Sequence, residues 1–252
     1  MERQNPGDST TERKNIVITG GSKGIGKALA VAFARENAAV YICARNEVSL
    51  YHSIAEIQTS FPGALVKGQP ADLSDTAGVH LFGNWVLEEI KATTSGRIDV
   101  LVNNAGTFTP GNIYDEAAGA LETMMAGNLY SAYHLTRHLI QHMIAARQGH
   151  IFNMCSIASL DAYPNGGSYG ISKYALLGFS KNLREELKQH HIKVTAILPG
   201  AVMSDSWSGF DNSTGRIMEA TDIATMVVAT TKLSPQAVVE DIIFRPMLGD
   251  LP

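Results

Sequence analysis

Short runs of β-branched and aliphatic residues alternate along this chain with longer segments whose apolar residues recur every three or four positions. Asn15-Ile16-Val17-Ile18-Thr19 is the first short run and ends in glycines. The segment from Lys27 to Glu36 follows, with Ala28, Leu29, Val31, Ala32 and Phe33 at helical spacing. Ala39 to Ala44 predicts a second strand, 47–60 a helix stopped by Phe61-Pro62-Gly63, and Ala64 to Gln69 a third strand. A helix is expected over 75–92, a strand over Ile98 to Val102, and a long helical tract over roughly 115–147. His150 to Cys155 reads as a strand, about 168–190 as a helix, and Ile192 to Leu198 as a strand. A loop rich in Gly and Ser fills 200–216, before a short helix from Asp222 to Thr231 and a last strand from Val238 to Phe244.

Strands that are apolar throughout are buried on both faces, and strands alternating with helices build right-handed βαβ units. The pattern therefore predicts an α/β fold: one doubly wound parallel sheet between two helical layers. No linker or repeat divides it, so 14–252 is expected to form a single domain behind a flexible polar tail, 1–13.

Composition narrows the function. A chain of 252 residues with 45% hydrophobic content can bury a large core. The net charge of −4 and the lack of any Lys/Arg run argue against a nucleic-acid partner. Cys43 and Cys155 sit far apart in apolar runs and read as buried, reduced thiols. Met1 to Lys14 lacks the apolar region of a signal peptide, and no apolar run approaches the ~20 residues that span a bilayer. A cytoplasmic protein is expected.

Two motifs carry chemistry. Thr19-Gly20-Gly21-Ser22-Lys23-Gly24-Ile25-Gly26 lies between the first strand and the first helix. Glycines there permit a tight turn and close approach of a pyrophosphate, which the free N–H groups of the helix start can bind. A carboxylate ending the second strand would favour NAD through the ribose 2′-OH. Here the strand ends Cys43-Ala44-Arg45-Asn46, so Arg45, aided by Lys23 and Ser22, suits a 2′-phosphate and predicts NADP(H). The second motif is Tyr169-Gly170-Ile171-Ser172-Lys173. On a helix, positions i and i+4 share a face, so the ammonium favours the phenolate and brings a phenol nearer to working pH. Ser156, at the end of the fifth strand, falls at the carboxyl edge where ligands bind in such sheets, as does Asn103-Asn104-Ala105-Gly106 after the fourth. Asn104 can brace strands there and touch the cofactor.

Together these motifs resemble the short-chain dehydrogenase/reductase family over roughly 14–250: the glycine turn, Asp72 after the third strand, Asn103-Asn104-Ala105-Gly106, Asn128, Ser156, Tyr169 with Lys173, and Pro199-Gly200 after the sixth strand. The resemblance implies a Rossmann-like seven-stranded domain and reversible, NADPH-dependent carbonyl reduction. It makes Tyr169 the general acid/base, Lys173 its pKa-lowering partner on the nicotinamide ribose, Ser156 the anchor of the substrate oxygen, and Asn128 the holder of a water linked to Lys173. The cofactor would be lined by Gly20, Ser22, Lys23, Gly24, Ile25, Gly26, Arg45, Asn46, Asp72, Leu73, Asn104, Ala105, Gly106, Tyr169, Lys173, Pro199, Gly200, Val202 and Ser204. Ser204 departs from the family's usual Thr but keeps the hydroxyl.

Trp207 and Phe210, in the loop that forms the family's substrate lid, are the substrate-wall candidates beside Ser156. Val239 to Asp250 resembles bacterial reductases of the sepiapterin reductase type, and 3-oxoacyl-(acyl-carrier-protein) reductases share the core motifs. A non-catalytic NADPH-sensing protein is the reading from another class. His134, His138 and His142 form a row that suits a polar face or subunit contact better than a metal site, and no metal is expected. A homodimer or homotetramer is implied by the family.

Overall fold

A computed structural model describes residues 13–204, 207 and 209–251. The expected tail lies outside the described residues except for Arg13, which donates to the Gly63 carbonyl at 3.1 Å.

Seven parallel strands form one sheet: β1 (Asn15–Thr19), β2 (Ala39–Ala44), β3 (Leu65–Pro70), β4 (Val100–Asn103), β5 (Gly149–Met154), β6 (Ile192–Pro199) and β7 (Asp241–Phe244), in the order β3-β2-β1-β4-β5-β6-β7. The order reverses between β1 and β4, whose carboxyl ends part to leave the crevice where open α/β sheets bind ligands. The doubly wound, Rossmann-like fold expected from the sequence is present. Helices α1 (Gly24–Arg35), α2 (Glu47–Ser60) and α7 (Ala220–Thr231) cover one face. Helices α3 (Thr76–Lys91), α4 (Ala120–Met125), α5 (Ser131–Ala146) and α6 (Gly167–Leu187) complete the helical set, and among them α3, α5 and α6 cover the other face.

Strand alternation divides the core. Ile16, Ile18, Val40, Ile42 and Val102 pack with Leu29, Phe33 and Val227 on the first face. Val17, Tyr41, Leu101 and Ile151 pack with Phe82, Leu135 and Leu183 on the second. Both faces of the central strands are apolar because both are covered, which is why β1, β2 and β4 read as continuous hydrophobic runs.

Several boundaries differ from the sequence reading. β4 begins at Val100 because Asp99 is spent on the strand start: its carboxylate accepts from the Asn15 N–H at 2.8 Å and pairs with Arg97 at 2.9 Å. The tract expected over 115–147 is irregular until Gly119, which adopts φ 89° before α4. It then passes through a π-helical turn, Ala126–Tyr130, where the Ser131 N–H bonds back five residues to Ala126. The last strand shrinks to Asp241–Phe244.

His150 is the buried titratable group that ties β5 to β6. Its Nε2 meets the Thr195 hydroxyl at 2.7 Å; that hydroxyl donates to the Val239 carbonyl, so the imidazole carries its proton on Nε2. Burial, with a smaller push from Lys193, drives its pKa down to about 3 from 6.5. The folded state keeps it neutral while the unfolded chain protonates it below pH 6.5, so stability rises with pH between about 3 and 6.5. At pH 5 this one group is expected to cost about 2 kcal/mol relative to pH 8. Urea midpoints of the wild type and of His150→Phe at both pH values check this: the variant should lose most of the difference, and an unchanged pH slope would overturn it.

Candidate active site

The glycine turn joins β1 to α1 at the crevice. Gly20 and Gly24 take φ 66° and 51°, which side chains rarely adopt. Gly26 allows the tightest approach: a Cβ there would stand 2.1 Å from the Gly20 carbonyl and 2.5 Å from Asn104 Nδ2. Helix α1 starts with no side-chain cap and no acid in its first turn, so its N–H groups and positive dipole end face the crevice. This cradle fits a dinucleotide pyrophosphate. Lys23 is the N-cap residue, and Ser22 and Ile25 stand beside it in the turn and the first helical residues. Ser204 closes the far side, its Cβ 3.3 Å from where a Gly24 Cβ would be.

Asn104 braces the turn. Its Nδ2 donates to the Thr19 and Gly20 carbonyls at 2.9 and 3.2 Å, while the Asn104 and Ala105 N–H groups both donate to the Thr19 hydroxyl. Its amide hydrogens are thus committed to holding β4 against β1. At the end of β2, Arg45 is exposed and lies near Asp72. Partial burial pushes the Asp72 carboxyl up, but hydrogen bonds from the Ser74 side chain and backbone and the Arg45 charge outweigh it and hold the acid below its usual range. Asn46 caps α2, its Oδ1 accepting from the Ser49 N–H at 2.8 Å. Leu73 and Val202 are core residues, leaving only their backbones to face a ligand.

The Tyr/Lys pair lies in the first two turns of α6, as the spacing predicts. Lys173 is buried, and its Nζ donates to the Met154 carbonyl at the end of β5 at 2.8 Å. Its Nζ lies 5.7 Å from the centre of the Tyr169 ring. Its hydrogen-bond partner is a neutral carbonyl rather than a carboxylate. Gly106 adjoins it: a Cβ there would be 2.8 Å from Asn128 Oδ1 and 3.7 Å from Lys173 Nζ.

Ser156 lies just past β5 and caps the 3₁₀ turn Ile157–Ser159, accepting from the Ala158 N–H at 3.2 Å; its hydroxyl reaches the Pro199 carbonyl at 3.4 Å. Ser159 then donates to the Lys173 carbonyl at 2.8 Å, tying this turn to α6. Gly200 donates to the Phe244 carbonyl and fixes the end of β6 beside Pro199. Asn128, in the π-helical turn, is buried with its amide fully engaged: it accepts from the Thr107 N–H at 2.7 Å and donates to the Thr107 carbonyl and the Ser172 hydroxyl at 3.0 and 2.8 Å.

Trp207 and Phe210 pack edge-to-face on each other, centroids 5.4 Å apart. The aromatic ring that meets Tyr169 is Phe108, edge-on at 4.8 Å and 82°. The histidine row is split: His138 bonds Asn84 at 2.9 Å and meets His80 edge-on at 5.1 Å, while His134 lies against Tyr133. Among the described residues no three His, Cys, Asp or Glu side chains could hold a metal ion. Burial raises the Cys43 and Cys155 thiols to about 12 and about 11, so both are inert. No described helix is long and apolar enough to cross a membrane.

Sequence reasoning missed Phe108, Glu116 and Ser168. Glu116 Oε1 accepts from the Ser168 N–H at 2.8 Å and its other oxygen from the Ser168 hydroxyl, so the carboxylate caps α6 from 52 residues away. No local pattern signals a pair so distant.

The profile described as short chain dehydrogenase matches residues 14–213. A sepiapterin reductase from Chlorobaculum tepidum is 32% identical over 244 residues, covering 94% of this chain and 97% of its own. A metagenomic short-chain oxidoreductase solved with NADP superposes with TM-score 0.79 at 31% identity, over 93% of this chain and 97% of its own. An alcohol dehydrogenase from the archaeon Thermococcus sibiricus, complexed with 5-hydroxy-NADP, superposes at 0.85 with 26% identity, over 96% of this chain and all of its own. Glycine turn, Tyr/Lys helix and serine turn thus meet at one sheet edge in a chain that belongs to the short-chain dehydrogenase/reductase family, a nicotinamide-dependent oxidoreductase.

Proposed function

We propose that this protein reduces a ketone or aldehyde to an alcohol with NADPH. The observation that carries the reading is the convergence of Tyr169, Lys173 and Ser156 on the carboxyl edge beside the glycine cradle. When bound, NADPH supplies the hydride. Gly20, Gly24 and Gly26 would take the pyrophosphate, Arg45 the 2′-phosphate, and Lys173 the nicotinamide ribose. Ser156 orients the carbonyl oxygen, and Tyr169 gives its phenolic proton to that oxygen as negative charge develops on it. Lys173, whose Nζ lies 5.7 Å from the centre of the Tyr169 ring, is the cation beside the oxygen that gives up the proton.

Phe108 narrows the substrate. An aromatic edge against Tyr169 makes one wall apolar and flat and suits an aryl or planar ketone. Phe108→Ala is expected to raise KM for an aryl ketone about tenfold with little change for a short aliphatic one; equal effects on both would overturn the assignment. A pteridine carbonyl is the narrower alternative, supported by the similarity to the Chlorobaculum sepiapterin reductase. The net charge of −4 speaks against an acidic carrier protein. Exposed Tyr130 at the end of the π-helical turn, Tyr133 on α5, and Ile171 and Tyr174 on α6 support contact with a second copy.

The test is NADPH oxidation against diketones, aryl ketones, pterins and acetoacetyl thioesters. Turnover of one class names the substrate. NADPH binding with no turnover on any of them would favour a sensor and overturn the reductase reading.

A further inference from the structure

The reacting tyrosine stands in the first turn of a helix, where backbone N–H groups lack partners and helices fray. Helix α6 has Gly166 as its N-cap residue and no side-chain cap of its own. The cap comes from the segment between β4 and α4, through Glu116, on the residue directly before Tyr169.

That segment is built to fit there. Gly167 has φ 28°, and a Cβ on it would stand 2.0 Å from Glu116 Oε1 and 2.4 Å from the Gly111 carbonyl. A Cβ on Gly111 would stand 2.8 Å from Glu116 Cγ. The Gly111 N–H also donates to the Asn165 carbonyl at 3.1 Å. At its other end Thr107 is clasped by Asn128, whose amide also reaches the Ser172 hydroxyl, and that hydroxyl donates to the Tyr169 carbonyl at 2.7 Å. The segment is thus fastened to α6 on both sides of Tyr169, through Ser168 and Ser172, with Phe108 between the fastenings and edge-on to the Tyr169 ring.

We infer that Glu116 is a positioning residue for the reaction: its bidentate grip on Ser168 holds the Phe108 segment to α6 and so fixes the Tyr169 hydroxyl toward the substrate. The inference rests on Tyr169 being the proton donor. It touches neither cofactor nor reacting atoms, so its signature is a loss in kcat without a loss in NADPH affinity.

The test is steady-state turnover of the best ketone substrate, with NADPH affinity from nucleotide fluorescence and folding from thermal melts. Glu116→Ala is expected to lower kcat about tenfold and leave the NADPH Kd within twofold. Glu116→Gln, which still offers an acceptor to the Ser168 N–H and a donor to its hydroxyl, should recover most of the loss. Gly167→Ala keeps the carboxylate but fills its seat, and should reproduce the Glu116→Ala defect. Wild-type kcat in Glu116→Ala, no recovery in Glu116→Gln, or an equal loss of NADPH binding would each overturn the inference. Should Glu116→Ala not fold, Ser168→Ala carries the test: about a threefold fall in kcat is expected, and no fall overturns it. An active Tyr169→Phe would remove the proton-donor reading itself, whereas an inactive Tyr169→Phe beside a fully active Glu116→Ala removes only the role of Glu116.

Discussion

Tyr169→Phe is expected to lower carbonyl turnover by about a thousandfold or more while NADPH affinity stays within about threefold. The substitution removes one oxygen and keeps the ring, so the edge-on packing of Phe108 and the place of Lys173, anchored on the Met154 carbonyl, are retained. On the proposed mechanism the variant lacks the proton for the developing alkoxide, an interaction made only in the transition state, so the loss is expected on kcat rather than on binding. Single-turnover reduction with saturating NADPH, beside a fluorescence titration of the nucleotide, measures both quantities. A variant keeping more than a tenth of wild-type turnover would overturn the assignment of Tyr169. A variant that also lost NADPH would mean the residue acts chiefly in cofactor binding.

The parts of this site that could be read from the sequence are those set by local geometry. The Tyr169/Lys173 pair needs only one helical turn, and the glycine turn needs only a strand before it and a helix after it. The inner strands are legible because burial on both faces makes them continuous apolar runs, as in Ile16-Val17-Ile18. What stayed hidden depends on contacts between segments far apart. The 115–119 stretch reads as the start of a helix because Glu116 to Met125 is rich in helix formers. Gly119 in a left-handed conformation and the capture of Glu116 by Ser168 stop it. Asn128 is visible as a polar residue in a helical tract, but the π-helical turn that aims its amide at Thr107 and Ser172 leaves no mark in the spacing. Phe108, two residues past the asparagine motif, carries no local mark of the edge-on contact that its ring makes with Tyr169.

Arg45→Ala is expected to weaken NADPH by about fiftyfold and NADH by less than threefold, shifting the coenzyme preference toward NADH. Arg45 follows the last residue of β2, where the chain turns into α2, and is exposed. No carboxylate competes for a ribose hydroxyl there until Glu47, which is already within the first turn of α2. Asn46, the residue between, is committed to capping that helix. Asp72, held ionised chiefly by its hydrogen bonds from Ser74, also feels the Arg45 charge. A charge-assisted, two-pronged hydrogen bond from a guanidinium to a phosphate contributes roughly 2–3 kcal/mol, which at about 1.4 kcal/mol per tenfold corresponds to the expected change. The effect should shrink at high salt, since the site is open to solvent. Titrating both nucleotides into wild type and variant at low and high ionic strength checks the result. Equal weakening of NADPH and NADH would mean that Arg45 supports the fold of the crevice and that the 2′-phosphate is held elsewhere in the glycine turn.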